Sequence, residues 1–285
     1  MKLLSVLAAI ALGAFAAGAH AACPADADIA LMAARFANLQ PSPNPPADLT
    51  MEDAVCGRNI LVGFLGQNYG KVVGYKAGLT NPAVQKRFNY PAPVRGTLFG
   101  NMLLQDGAEV PAKFGARPVF ESDMVVVVKD AGINKAKTAL EALRHISQIH
   151  PFIELPDLVV EDPGKLNGPS IASINVGARL GVLGKPFVLK ATPEMVEALA
   201  NMTVKMVDQD GKELDQSKGD AILGQPLNAV LWLVKDLNAS GIKLKRGDLL
   251  SLGSFSRLLP PKPGTGAKVT YEGLPGTPSV SVRFK

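Results

Sequence analysis

The stretch RPVFESDMVVVV, residues 117–128, sets Glu121 and Asp123 two apart in front of a run of valines. Those valines predict a buried β-strand, since branched side chains pack well on a pleated surface. Residues i and i+2 of a strand face the same side. The two carboxylates therefore stand side by side and repel each other unless something positive lies between them. From these residues alone two readings are open: a solvated strand end, or a pair arranged around a cation.

Outward from this stretch, short β-like runs separated by glycine and proline begin at residue 94. Strands are predicted in VRGTLF (94–99), FESDMVVVVK (120–129), FIELPDLVV (152–160), SIASINVGARLGVLG (170–184), TVKMVDQD (203–210), DLLSLGSF (248–255) and SVSVRFK (279–285). Two helices with a 3.6-residue period interrupt them, at 133–149 and at 226–241, the latter ended by Gly241. Before residue 94 the pattern is more helical. DADIALMAARFANL (26–39) has apolar residues at helical spacing, and four prolines make 41–49 an extended linker. Thr50 is an N-cap with Asp53 three residues on, opening a helix to about Gly66. A short strand at 71–80 and a short helix at 81–89 follow, the helix with Asn81 as cap and Pro82 in its first turn. The fold class is α+β: a front portion at 22–93 and a β-rich body at 94–285.

The chain has 285 residues and is 47% hydrophobic, enough to bury a substantial core. Its first residues, MKLLSVLAAIALGAFAAGAHA, read as a secretory signal. Lys2 precedes an apolar run of about fifteen residues, short for a bilayer, and small residues at Ala19 and Ala21 mark a cleavage site. His20 stands where a lipoprotein signal carries leucine. Residues 1–21 are therefore expected to be removed, leaving a periplasmic or secreted protein with no membrane segment. Without Lys2, the 30 basic residues become 29 against 25 acidic ones, a net charge of +4. The densest basic cluster, IKLKRGD (242–248), has no interleaved aromatics, which argues for a solvated turn and against nucleic acid. Cys23 and Cys56 are the only cysteines. In an oxidising compartment such a pair suggests a disulfide, and closing that loop is worth roughly 3–4 kcal/mol in the chain-entropy picture.

Groups able to do chemistry are few. The mature chain keeps only His145 and His150, which excludes a multi-histidine metal site, and no G-x-S-x-G elbow occurs. His145 is expected on the surface of the 133–149 helix, and His150 at its end, favoured beside the negative end of the dipole. Carboxylates remain. Glu154, in HPFIELPD, also stands in an apolar strand, so Glu121, Asp123 and Glu154 offer oxygen ligands of the kind magnesium prefers. Lys76, in the apolar run VVGYKAG, either snorkels to solvent or faces a cleft and meets an anionic substrate.

Several of these segments recur together in one family. GYKAGLTNPAVQKRF (74–88), PVRGTLFGNML (93–103), the E-x-D pair, PFIELPD (151–157), PLNAVLWLVKDL (226–237), LKRGDLLSLGS (244–254) and SVSVRF (279–284) occur in that order. The chain resembles the 2-keto-4-pentenoate hydratase and 4-oxalocrotonate decarboxylase group of the fumarylacetoacetate hydrolase-like superfamily, over most of residues 50–285. The resemblance implies a small α/β front portion on a mixed β-sandwich or roll. It also implies Mg2+ or Mn2+ held by Glu121, Asp123 and Glu154, with aspartate where the family has a second glutamate. Lys76 matches an active-site lysine, Ser254 a glycine–serine turn at the pocket edge, and Asn175 and Asp157 substrate-binding positions. The implied activity is hydration of a small 2-hydroxy-dienoate or 2-oxo-enoate through a metal-stabilised enolate. Decarboxylation of a vinylogous 2-oxo diacid and non-catalytic binding of an oxo acid are the alternatives; hydrolysis of an acylpyruvate ranks last. A homo-oligomer is implied as well. The chain departs from the family in carrying Ile174 where an aspartate precedes the asparagine, Val159 where an arginine is usual, and an export signal.

Overall fold

The computed structural model describes residues 23–285, so the predicted signal at 1–21 and its cleavage point lie outside the described residues. Helices α1 (Asp26–Ala37) and α2 (Met51–Tyr69) precede β1 (Val72–Gly78), α3 (Pro82–Arg87) and β2 (Val94–Phe99). Short strands β3 (Leu103–Gln105) and β4 (Ala108–Val110) lead to β5 (Glu121–Val128). Then come α4 (Ala139–Arg144), the ten-residue β6 (Ile146–Leu155), α5 (Gly168–Ser173) and β7 (Leu180–Leu183). The chain closes with α6 (Pro193–Asn201), β8 (Thr203–Asp208), β9 (Glu213–Lys218), α7 (Pro226–Ala239), β10 (Leu249–Ser251), β11 (Gly266–Glu272) and β12 (Ser279–Phe284).

Seven strands form one mixed sheet in the order β2-β1-β10-β5-β6-β7-β3, and five form a second, β4-β12-β11-β8-β9. The main core lies between these sheets and under α7, with Met124, Ile153, Leu233, Val269 and Tyr271 at most 1% exposed. A second apolar cluster joins α1 and α2 to α5 and to the segment 158–160. β1, from the front portion, is built into the large sheet between β2 and β10. Cys23 and Cys56 form a disulfide, with Cα atoms 5.5 Å apart, that ties the start of the described chain to α2. No helix among the described residues is long and apolar enough to cross a membrane.

The caps expected at the front are present. Thr50 accepts from the backbone N–H of Asp53, and Asn81 from that of Ala83 with Pro82 in the first turn. Two expectations fail. The helix over 133–149 is a 3-10 segment (Ala131–Lys135), the two-turn α4 capped by Thr138, and then β6. Only 139–144 has true helical packing; from Ile146 the chain pairs with β5, and that tertiary pairing overrides the local periodicity. His145 is accordingly the C-cap of α4, its Nδ1 2.8 Å from Asp130, and His150 is a strand residue bonded to the Gly184 carbonyl. The expected strand at 170–184 is instead α5, a tight turn, and only then β7. Asn167 and Ser170 form a reciprocal capping box there with Pro169 in the first turn, a signal readable in NGPS.

Candidate active site

The register of the large sheet sets the site. β5 and β6 run antiparallel with Glu121 directly opposite Glu154, while Asp123 pairs with Phe152. All three carboxylates are buried, Glu154 at 2% exposure and Asp123 at 0%. Lys76 lies on β1, three strands from β6 in sheet order. A flat sheet would hold those strands about 14 Å apart, beyond a lysine's reach. The sheet curls, so the Lys76 ammonium donates to Glu154 Oε1 and to the Val176 carbonyl at 3.0 Å. Lys76, Glu121, Glu154 and Ser254 line one pocket of about 50 Å³, walled by Leu79, Val84, Phe88, Leu158 and Ile171. Lysine therefore faces the cleft rather than solvent.

The chain around Lys76 is built for close approach. Asn175 and Val176 both have φ of 55°, a left-handed conformation that a β-branched residue rarely adopts. Such strain costs of order 1–3 kcal/mol per residue. It is held by the Asn175 amide, which accepts from Thr97 N–H at 2.7 Å and donates to Thr97 C=O at 3.0 Å. A Cβ on Gly78 would stand 2.3 Å from Val176, and one on Gly96 would stand 2.7 Å from the Asn175 carbonyl. The two glycines let β1, β2 and the 175–177 turn converge, and that turn presents the Val176 carbonyl to Lys76. Nothing in the sequence singled out this carbonyl.

The carboxylates are unequally served. Asp123 accepts from Ser251 Oγ at 2.6 Å and from the backbone N–H groups of Met124, Leu252 and Gly253. Burial and the Glu154 charge push it up to about 8, while the Ser251 and Met124 bonds pull it back. Glu121 is pushed well above the usual carboxylate range by burial first and the Glu154 charge second, with Lys76 opposing. Glu154 keeps one oxygen on Lys76, and its Oε2 is buried without a partner. Three carboxylates against one ammonium leave two negative charges uncompensated if all are ionised.

That donor set fits a divalent cation in charge and in hardness, since oxygen ligands are what such ions take. The orphaned Glu154 oxygen and the Glu121 carboxyl are the groups placed to receive it. Among the described residues no three His, Cys, Asp or Glu side chains form a ready-made metal cage. Asp123, one methylene shorter than glutamate, is turned to the β10 turn and its four donors.

The other expected residues fall in two groups. Ser254 lies at the pocket edge beside Glu121, its hydroxyl donating to the Ser256 carbonyl at 2.6 Å. Asp157 and Asn175 are buried behind the pocket wall, Asp157 holding Arg179 and the 116–117 backbone, Asn175 holding Thr97. Ile174 is packed in the front apolar cluster, and Lys76 is positioned without any charge at residue 174.

No family model matches the chain. It is 28% identical over 258 residues to a 2-keto-4-pentenoate hydratase of Burkholderia vietnamiensis, covering 87% of this chain and 95% of that one. It is 27% identical over 253 residues to a 2-hydroxyhexa-2,4-dienoate hydratase of Comamonas testosteroni, covering 88% and 92%. Among solved structures, 4-oxalocrotonate decarboxylase from Pseudomonas putida, complexed with magnesium and adipate, superposes with a TM-score of 0.78 at 24% identity over 91% of this chain and 97% of that one. Fumarylpyruvate hydrolase from Pseudomonas aeruginosa, in complex with Mn2+ and pyruvate, gives 0.54 at 15% identity over 74% and 89%.

Proposed function

We propose, from the resemblance to the 2-keto-4-pentenoate hydratase and 4-oxalocrotonate decarboxylase group that the relatives and structural neighbours bear out together with its fold, that the chain is a divalent-cation-dependent lyase. It would add water to a small 2-hydroxy-dienoate or 2-oxo-enoate. The observation that carries this reading is the facing pair Glu121 and Glu154, with Lys76 on one oxygen and the other oxygen unpartnered at the pocket.

Glu121 and Glu154 would hold Mg2+ or Mn2+, with the Asp123 carboxylate behind them. When bound, such an ion polarises a chelating 2-oxo group as a Lewis acid. Lys76 supplies a fixed positive charge that draws the substrate carboxylate and offsets negative charge developing at the reacting end. In the ion-free pocket burial and the Glu154 charge raise Glu121 well above the usual carboxylate range, so an ion bound there would displace its proton. The apolar wall of Leu79, Val84, Phe88, Leu158 and Ile171 excludes bulk water and accommodates the hydrocarbon part of the substrate.

Incubating the Mg2+-loaded protein with 2-hydroxypenta-2,4-dienoate tests the reading. Loss of the diene absorbance with formation of the hydrated oxo acid is expected. Absence of turnover on this compound and on longer dienoates would contradict it. Conversion of a 2-oxo-hexenedioate with release of carbon dioxide, in place of hydration, would select decarboxylation instead. Export is part of the proposal: the disulfide between Cys23 and Cys56 suits an oxidising compartment. Protein recovered from the cell envelope fraction should begin at Ala22, and a cytoplasmic chain retaining Met1 would overturn export.

A further inference from the structure

A second crevice, of about 250 Å³, opens between α2, the 90–95 segment and α7. Arg58 and Arg95 both line it, with Asp236, Trp232 and Tyr90. Arg95 is paired with Asp236 and bonds Ser240 Oγ at 3.1 Å. Arg58, only 2% exposed, has no such partner. Its Nη1 donates to the Arg95 carbonyl at 3.0 Å and its Nη2 to Asn59 at 3.1 Å, but its Nε is buried with no acceptor. Among the described residues, no carboxylate forms an ion pair with Arg58. Two guanidinium groups thus share one carboxylate and leave one positive charge in a crevice. Burial and the Arg95 charge pull Arg58 down to about 10, with the Asp236 carboxylate opposing them only in part.

A buried unpaired charge is costly, and guanidinium forks match carboxylates in geometry. Trp232 and Tyr90 add flat apolar surface beside the two arginines. We propose that this crevice is a second ligand site, separate from the pocket at Lys76, which takes a small monocarboxylate with a planar apolar body. The carboxylate goes to Arg58 and the planar body lies along Trp232.

Trp232 is the only tryptophan in the chain, so intrinsic fluorescence reports on the crevice directly. Benzoate is the probe and benzamide its neutral match in shape. The expected result is a saturable change with benzoate and binding at least about tenfold weaker for benzamide, the scale of a charge-assisted bond. The benzoate signal should persist in Lys76→Met, weaken at least about tenfold in Arg58→Met, and strengthen in Asp236→Asn. No saturable change, equal binding of benzoate and benzamide, or loss of the signal in Lys76→Met would each overturn the proposal. The benzamide comparison uses the unaltered protein, so it decides even if Arg58→Met does not fold.

Discussion

Glu154 and Asp157 stand three residues apart and are both buried, yet their surroundings differ in kind. Asp157 accepts from the backbone N–H groups of Ala116, Arg117 and Val159 and meets Arg179 at 3.4 Å. A Cβ on Gly115 would press within 2.5 Å of its carboxyl carbon. Every lone pair there has a donor from the protein itself. Glu154 shares Lys76 with a strained turn, faces another carboxylate across the strand pair, and leaves an oxygen without a partner. A carboxylate that the fold satisfies holds the fold; one that it leaves wanting is available to a ligand. That distinction, more than burial alone, separates structural from functional charge in this molecule.

The comparison breaks most visibly at Asp157. Asp157→Ala strands Arg179 in the core and is expected to destabilise by roughly 3–5 kcal/mol, measured as a lower midpoint of thermal unfolding. Lys76→Met should do the converse. Turnover falls by about 100- to 1000-fold, the cost of losing one charge-stabilising group, while the unfolding midpoint of the Mn2+-loaded protein moves less than in Asp157→Ala, because the ion takes over as the partner of Glu154.

A subtler difference lies in pH. The Glu121 carboxyl titrates higher in the folded chain than in the unfolded one, so the folded state binds the extra proton. Its contribution to stability is fully present below about pH 4.5 and is lost as pH rises from there through the folded value. Chelator-treated protein should therefore weaken as pH rises toward neutrality. Glu121→Gln should flatten that slope and raise the midpoint by a few degrees at about pH 7; thermal scans across pH check both. Asn175→Ala acts on the turn behind Lys76. It removes two hydrogen bonds to Thr97 and should cost about 1–2 kcal/mol, with a several-fold drop in turnover as the Val176 carbonyl loses its place beneath Lys76.

Much of this site was legible in the sequence. The i, i+2 rule put Glu121 and Asp123 on one face of a strand, Glu154 stood out as an acid in an apolar run, and Thr50 and Asn81 announced their helices. What the sequence concealed depends on distant parts of the chain meeting. The curl of the sheet brings Lys76 to Glu154, and the β10 turn supplies three of the four donors that occupy Asp123. Left-handed backbone at Asn175 and Val176 has no signature in a segment read as a strand. His145 to Ile149 looked helical because the spacing of α4 runs on past the point where pairing with β5 takes over. Arg58, lying on a helix face between apolar neighbours, gave no sign that a second arginine would close over it.

Titrating Mn2+ into chelator-stripped protein by calorimetry, in two buffers of different ionisation enthalpy, tests the availability of the Glu121–Glu154 pair most directly. One ion per chain is expected, bound with release of a proton near neutral pH, and both binding and proton release should vanish in Glu121→Gln. No binding, or binding that Glu121→Gln leaves unchanged, would contradict the assignment of these carboxylates to a cation.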